Sequence, residues 1–201
     1  MKIFVFDTET TGFPQKGEDL TKQPHVVQVA GVLVDIDPAT GTMTELERLD
    51  EKCKPPVSIP FGASQVHGIY DKDVADKPPF EAVADRLLKI ANGADAVSGH
   101  NVSFDEEILS FELKRLGRDG WWHPRQVICT MRTSTEYCKL EGRGFSWKPP
   151  KLNELHKKLF GAFFDGAHNA IFDVESTAKC LAELVRLKVI QLEEPKELRL
   201  F

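Results

Sequence analysis

Lys2-Ile3-Phe4-Val5-Phe6-Asp7-Thr8-Glu9-Thr10-Thr11-Gly12 is the stretch on which the fold turns. Its first five residues, 2–6, are rich in Phe, Val and Ile and read as a short buried strand, with two acids where the strand ends. Gly12, Pro14 and Gly17 break the pattern, and a polar loop runs to Pro24. A second strand is expected over about 26–36 and a third over about 43–53. The turn signal at 38–41 makes them a hairpin. Residues 55–79, dotted with Pro and Gly, read as loop with short helical turns.

The second half alternates. Val83, Leu87 and Ile90 give helical spacing over 80–90, stopped by Asn92-Gly93. A short strand is expected at 94–98. Ser103 with Glu106 reads as a capping box, opening a helix that carries Phe104, Ile108, Phe111 and Leu116 on one face and ends at Gly117. Further helices are expected at 151–160 (Leu152, Leu155, Leu159) and at 169–189, the latter with Ile171, Val174, Ala178, Leu181 and Val185 as its buried stripe. Strands first, then strands alternating with helices, indicate an α/β fold: a mixed sheet with helices on its faces. One domain is expected, with a core at about 2–185 and a short polar tail at 190–201.

Composition narrows the function classes. The 201 residues carry 26 basic and 31 acidic side chains, a formal charge of −5, and 41% are hydrophobic. That is enough for a globular core and argues against a protein that coats a polyanion by charge alone. The four cysteines form no Cys-x-x-Cys pair, so a reduced chain without a zinc site is expected. Only four apolar residues precede Asp7, and no run reaches the roughly 18 residues of a membrane span. A cytoplasmic protein without membrane contact follows as the expectation.

Three acidic clusters stand at the edges of elements. In the first, Asp7 and Glu9 are two apart on a strand and present adjacent carboxylates on one face, which strand stability does not ask for. Taken alone, the pair fits a turn start with a solvated acid as well as a site. The second, His100-Asn101-Val102-Ser103-Phe104-Asp105, lies at a strand-to-helix transition, where acids also suit the helix dipole. The third is His168-Asn169-Ala170-Ile171-Phe172-Asp173, at another helix start. Together, four acids from three elements form a group that repels itself unless cations balance it. Two divalent ions supply +4 against −4, and carboxylate oxygens select Mg²⁺ or Mn²⁺. Such a two-metal site suits phosphodiester hydrolysis.

Asp-Thr-Glu-Thr-Thr-Gly, His-Asn-x-x-Phe-Asp and His-Asn-Ala-x-x-Asp, in this order, resemble the DEDDh 3′→5′ exonucleases, the DnaQ-like group of the polymerase III epsilon subunit, ribonuclease T and oligoribonuclease. His67-Gly68-Ile69, Cys129-Thr130 after Trp122, and Lys151-Leu152-x-x-Leu155 add to the likeness, which covers about 2–185. The resemblance implies an RNase H-like fold, a central mixed five-stranded sheet flanked by helices, its first three strands antiparallel. It also implies that Asp7, Glu9, Asp105 and Asp173 bind two ions of Mg²⁺ or Mn²⁺ and that His168 is the general base. His168 lies five residues before Asp173, whereas the sister group with a Tyr base places it four before.

The expected activity is hydrolysis of single-stranded DNA or RNA from its 3′ end, releasing nucleoside 5′-monophosphates. A polymerase or another replication or repair protein is the expected partner class. Candidate substrate contacts are Thr10, Gly12, Phe13, His67, Asn101 and Phe104. Gly12 has no side chain to block the backbone. Phe13 and Phe104 could stack on bases, although the helical spacing of Phe104 favours core packing. Gly62 stands where relatives often carry an acid near the 3′-hydroxyl. Arg143, Lys148, Lys151, Lys157 and Lys158 are candidates to guide a strand or are ordinary solvated charge. A catalytically silent accessory module and a metal-dependent endonuclease are the competing readings.

Overall fold

The computed structural model describes residues 1–118, 126–142, 144, 146–164 and 169–192. Strand β1 (Lys2–Thr10) lies at the centre of a five-stranded sheet. It pairs antiparallel with β2 (Val26–Ile36), which pairs antiparallel with β3 (Met43–Lys52). On its other side β1 runs parallel to β4 (Ala96–Gly99), and β4 is parallel to β5 (Val127–Cys129). The order is therefore β3-β2-β1-β4-β5, the mixed sheet expected of an RNase H-like fold.

The first strand is longer than its apolar run. Pairing continues through Glu9↔Gln28 and Thr10↔Val26, because β2 supplies partners that the β1 sequence alone does not show. Short helices α1 (Phe61–His67) and α2 (Asp71–Val74) precede α3 (Phe80–Asn92). Helix α4 (Ser103–Arg115) follows β4. After β5 come α5 (Thr130–Thr133), α6 (Thr135–Cys138) and a small ladder of β6 (Leu140–Glu141) with β7 (Trp147–Lys148). Helices α7 (Leu152–Phe160) and α8 (Ala170–Arg186) complete the fold. The elements at 127–148 are too short to leave a periodic signal in the sequence.

Alternation along β1 sorts the core into two layers. Ile3 and Val5 join Val32, Val34, Leu155, Val174, Leu181 and Leu184 on the α7–α8 side. Phe4 and Phe6 join Val29, Leu33, Val83, Leu87, Ile108 and Leu109 on the α3–α4 side. Carried two residues further, this alternation puts Asp7 and Glu9 on the α8 side and Thr8 on the α4 side.

Helix α4 corrects two expectations. Ser103 is its first helical residue, the preceding Val102 offers no side-chain cap, and no capping box forms. Its buried residues are Asp105, Ile108, Leu109, Glu112 and Leu113, a face rotated from the expected Phe104-Ile108-Phe111-Leu116 stripe. Two acids share that buried face, which hydrophobic spacing could not have indicated. Helix α8 keeps Val174, Ala178, Leu181 and Val185 buried, while Ile171 is half-buried. Among the described residues no helix is long and apolar enough to cross a membrane.

Candidate active site

The end of β1 meets the first turns of two helices, one on each face of the sheet. On the α8 face, Asp7, Glu9 and Asp173 each bring a carboxylate oxygen within 4.8 Å of the others. Asp105 reaches the same strand from the α4 face. It is buried, and its Oδ1 accepts the Thr8 N–H (2.9 Å) and the Thr8 hydroxyl (2.8 Å). Three acids therefore form one oxygen cluster, and the fourth braces the strand from behind while acting on them electrostatically.

The electrostatics show how strained the group is. Burial, then Asp105, Asp173 and Glu9, hold the Asp7 carboxyl well above the usual carboxylate range. Burial, Asp173 and Asp105 push Glu9 up to about 8. Burial pushes Asp105 up to about 7, with Asp173 adding to the rise, although both Thr8 bonds pull it back. Like charges packed this closely, out of water, favour protonation unless a cation joins them. A compact all-carboxylate donor set is what a hard divalent cation prefers, so these residues fit the cation that the sequence pattern calls for.

The loop after β1 shapes the mouth of the site. Thr10 is buried, and its hydroxyl donates to the Gly12 carbonyl (2.7 Å), so that side chain is committed to the loop itself. A Cβ at Gly12 would meet nothing within 4 Å, which leaves the backbone open to approach. Phe13 is 77% exposed, and its ring meets half-buried Phe104 edge-on, with centroids 5.9 Å apart. Phe104 thus packs on the core with one side and supports an exposed aromatic with the other.

Buried His67 lies against the Thr10 backbone. Its Nδ1 accepts the Ile69 N–H (3.1 Å), and Nε2 has no well-formed partner. Burial keeps this imidazole below its usual range. Asn101 has φ of 73°, the left-handed conformation that Asn tolerates, and its carbonyl accepts the Phe104 N–H (2.9 Å), which turns the chain into α4. Its neighbour His100 has a structural role. Nδ1 pairs with Thr130 Oγ1 (3.0 Å) and Nε2 with the Pro150 carbonyl (2.9 Å), while burial lowers its pKa to about 4. A Cβ at Gly62 would also meet open space. His168, Trp122 and Arg143 lie outside the described residues.

Sequence reasoning missed the braces around the site. Glu112 accepts the Val26 N–H (2.9 Å), pairs with His25 Nδ1 (3.2 Å) and bonds Arg115 (3.1 Å). Arg115 in turn donates to the carbonyls of Leu20, Gln23 and Pro24, fixing the 13–25 loop to α4. Gln28, the cross-strand partner of Glu9, was also missed. The signal that could have found Glu112 is its seven-residue spacing from Asp105, two helical turns along one face.

The comparisons agree with this geometry. The RNase T family, described as an exonuclease, matches residues 4–181. The chain is 31% identical over 201 residues to the 3′-5′ exonuclease DinG of Bacillus subtilis (strain 168), covering 98% of this chain and 19% of that protein. It is 32% identical over 177 residues to the DNA polymerase III subunit epsilon of Buchnera aphidicola, covering 82% of this chain and 68% of that one. Among solved structures, exonuclease X in complex with 5′ overhanging duplex DNA superposes with a TM-score of 0.64 at 23% identity, covering 96% of each chain, an agreement of fold. The chain spans about a fifth of the length of DinG. Motif order, sheet topology and family match converge on one assignment: this chain belongs to the RNase T exonuclease family, in its DEDDh 3′→5′ branch.

Proposed function

We propose that this chain removes nucleotides one at a time from the 3′ end of single-stranded DNA or RNA, releasing nucleoside 5′-monophosphates. The observation that carries this reading is the cluster of Asp7, Glu9 and Asp173 with oxygens within 4.8 Å, backed by buried Asp105 across the strand. These four acids would hold two ions of Mg²⁺ or Mn²⁺. When bound, such ions would polarise the phosphate and stabilise the departing 3′-oxygen.

The protein's own groups divide the remaining work. His168, five residues before Asp173 in sequence, takes the proton from the attacking water, a role that needs a neutral imidazole near pH 7. The exposed Phe13 ring, braced by Phe104, offers a face to the terminal bases. His67, whose buried Nε2 lacks a well-formed partner beside Thr10, would donate to a phosphate or sugar oxygen once the loop opens to substrate. The open backbone at Gly12 admits the nucleotide closely. A replication or repair polymerase is the partner class to test, because several relatives are named as polymerase III subunits.

The test is Mg²⁺-dependent digestion of matched 5′-labelled and 3′-labelled DNA and RNA oligonucleotides, with circular single strands as a control. Stepwise ladders from the 5′-labelled strands and free mononucleotide from the 3′-labelled ones are expected. Cleavage of circles, or cutting that persists in chelator, would overturn the reading. His168→Ala should keep metal binding and lose most turnover; unchanged turnover removes His168 from the mechanism.

A further inference from the structure

Gln28 is a polar side chain only 2% exposed, flanked on its strand by buried Val26, Val27, Val29 and Ala30. It stands directly opposite Glu9 in the β1–β2 register, so both side chains emerge on the α8 face. Its Nε2 donates to Asp50 Oδ1 on β3 at 2.7 Å and faces Asn169 Oδ1 at 3.5 Å. A primary amide nitrogen carries two protons, and here there are two acceptors for them. The carboxylate of Asp50 accepts only, which fixes nitrogen rather than oxygen on that side.

The far end of this link is unusual. Asn169 is the residue before the first turn of α8, a position where Asn ordinarily bonds the helix's own free N–H groups. Here its side chain makes no cap bond and its Oδ1 faces Gln28 instead. Its backbone carbonyl accepts the Asp173 N–H at 3.1 Å. The chain of contacts therefore runs from β3 through Gln28 to Asn169 and on to Asp173. The price for core stability is visible, because Gln28 Oε1 is buried with no partner among the described residues. An apolar side chain would fill this place without leaving an acceptor unmatched.

We propose that Gln28 is a positioning residue: its carboxamide ties Asn169 to the rigid hairpin of β2 and β3 and so sets the start of α8, with Asp173, against Glu9. The inference rests on the exonuclease reading for its catalytic consequence, and on geometry alone for its structural one.

Gln28→Met keeps length and bulk while removing both donors. In the metal-free protein, hydrogen exchange should become faster at the Asp173 amide and its neighbours in the first turn of α8, with the β1–β2 ladder still protected. In Mg²⁺-dependent digestion of a 5′-labelled oligonucleotide, kcat should fall about tenfold or more while KM stays within about twofold, since misplacing a reacting group by a fraction of an ångström acts on the chemical step. Gln28→Glu, which turns an acid toward Asp50, should not rescue turnover. Combined with Asn169→Ala, Gln28→Met should add little further loss, because both break one link. Unchanged kcat, uniform loss of exchange protection across the sheet, or additive losses in the double variant would each overturn the proposal. If the wild-type chain degrades no strand at all, the exonuclease reading falls, and the exchange measurement alone decides the role of Gln28.

Discussion

Helix α4 buries two carboxylates on one face, Asp105 and Glu112, two turns apart, and they behave in opposite ways. Burial alone would raise both. Glu112 answers it with His25, the Val26 N–H and Arg115, which together hold its carboxyl below the usual range. Asp105 has the two Thr8 donors, faces Asp173 across the strand end, and ends up near 7. One acid has been given enough partners to act as a structural brace. The other has been left short of positive charge beside three more acids. A buried acid with its countercharge inside the fold is architecture; a buried acid whose countercharge must arrive from outside is a site.

The largest expected effect breaks the comparison at Asp105. Asp105→Asn keeps an acceptor for Thr8 and removes the charge. Turnover should fall by about 10²–10³-fold, as when one preorganised charge-stabilising group is lost. The chelated protein should at the same time gain stability at pH 8, because one repulsive charge is gone. Single-turnover digestion and denaturant unfolding of the same preparation check both halves. A variant that loses stability along with activity would make Asp105 a second brace.

Glu112→Ala should do the reverse. It leaves Arg115 and the Val26 N–H without their buried partner and should destabilise the fold by about 3 kcal/mol. The effect on turnover should come through the 13–25 loop, as a raised KM with kcat largely retained. Urea unfolding and steady-state kinetics measure the two separately, and a loss of kcat as large as that of Asp105→Asn would erase the distinction between the acids.

The sequence made one of these two acids visible and hid the other, for a physical reason. Asp105 stands in a motif whose members are close in the chain, as do Asp7 with Glu9 and Asp173. The hairpin, α3, α7 and the core of α8 were legible as well, because their apolar periods are long. Glu112, Gln28 and Thr8 each reach a partner 86, 141 or 97 residues away, and no local pattern encodes such pairs. Residues 7–10 of β1 are hidden likewise, since their acids look like the end of a strand until β2 is seen to pair with them. The α4 stripe is turned about the helix axis by roughly one residue from the apolar spacing, because Asp105 and Glu112 take places on the buried face that only their distant partners explain.

The pH dependence sharpens the contrast further. Glu9 and Asp105 have folded-state values near 8 and 7, above those of an unfolded chain, and Asp7 is raised as well. Below about pH 4 these groups are protonated in both states and cost nothing. As pH rises from about 4 toward 8 the unfolded chain releases its protons first, and the folded state loses about 1.4 kcal/mol per pH unit for each proton it retains. Chelated protein should therefore lose stability over that window, and saturating Mg²⁺ should flatten the slope. Glu112 has the opposite sign: its folded value lies below 4.5, so its contribution is complete above that pH and is lost as pH falls through the lowered folded value. Thermal unfolding from about pH 2 to 9, with and without Mg²⁺, reads both limbs. A chelated protein whose stability does not fall between pH 5 and 8 would mean that the four acids are already neutralised within the fold.

The smallest effect separates the brace from what it holds. Glu112 and Arg115 fix a loop whose tip presents Phe13, 77% exposed and touching Phe104 by its edge. If the brace matters for substrate through that ring, Phe13→Ala should reproduce part of the KM increase of Glu112→Ala with none of its loss of stability. An aromatic face against one base contributes about 1 kcal/mol at the low end, which corresponds to roughly a fivefold rise in KM. Because the ring is mostly in water, its removal leaves the core untouched and the unfolding midpoint should not move. Phe104→Ala should differ on that point, since its ring also packs against the core cluster that contains Ile108 and Leu109, and a truncation there opens space in the core. A Phe13→Ala enzyme with unchanged KM would confine the role of the loop to the backbone at Gly12, and the brace would then serve to hold that backbone open rather than to present a ring.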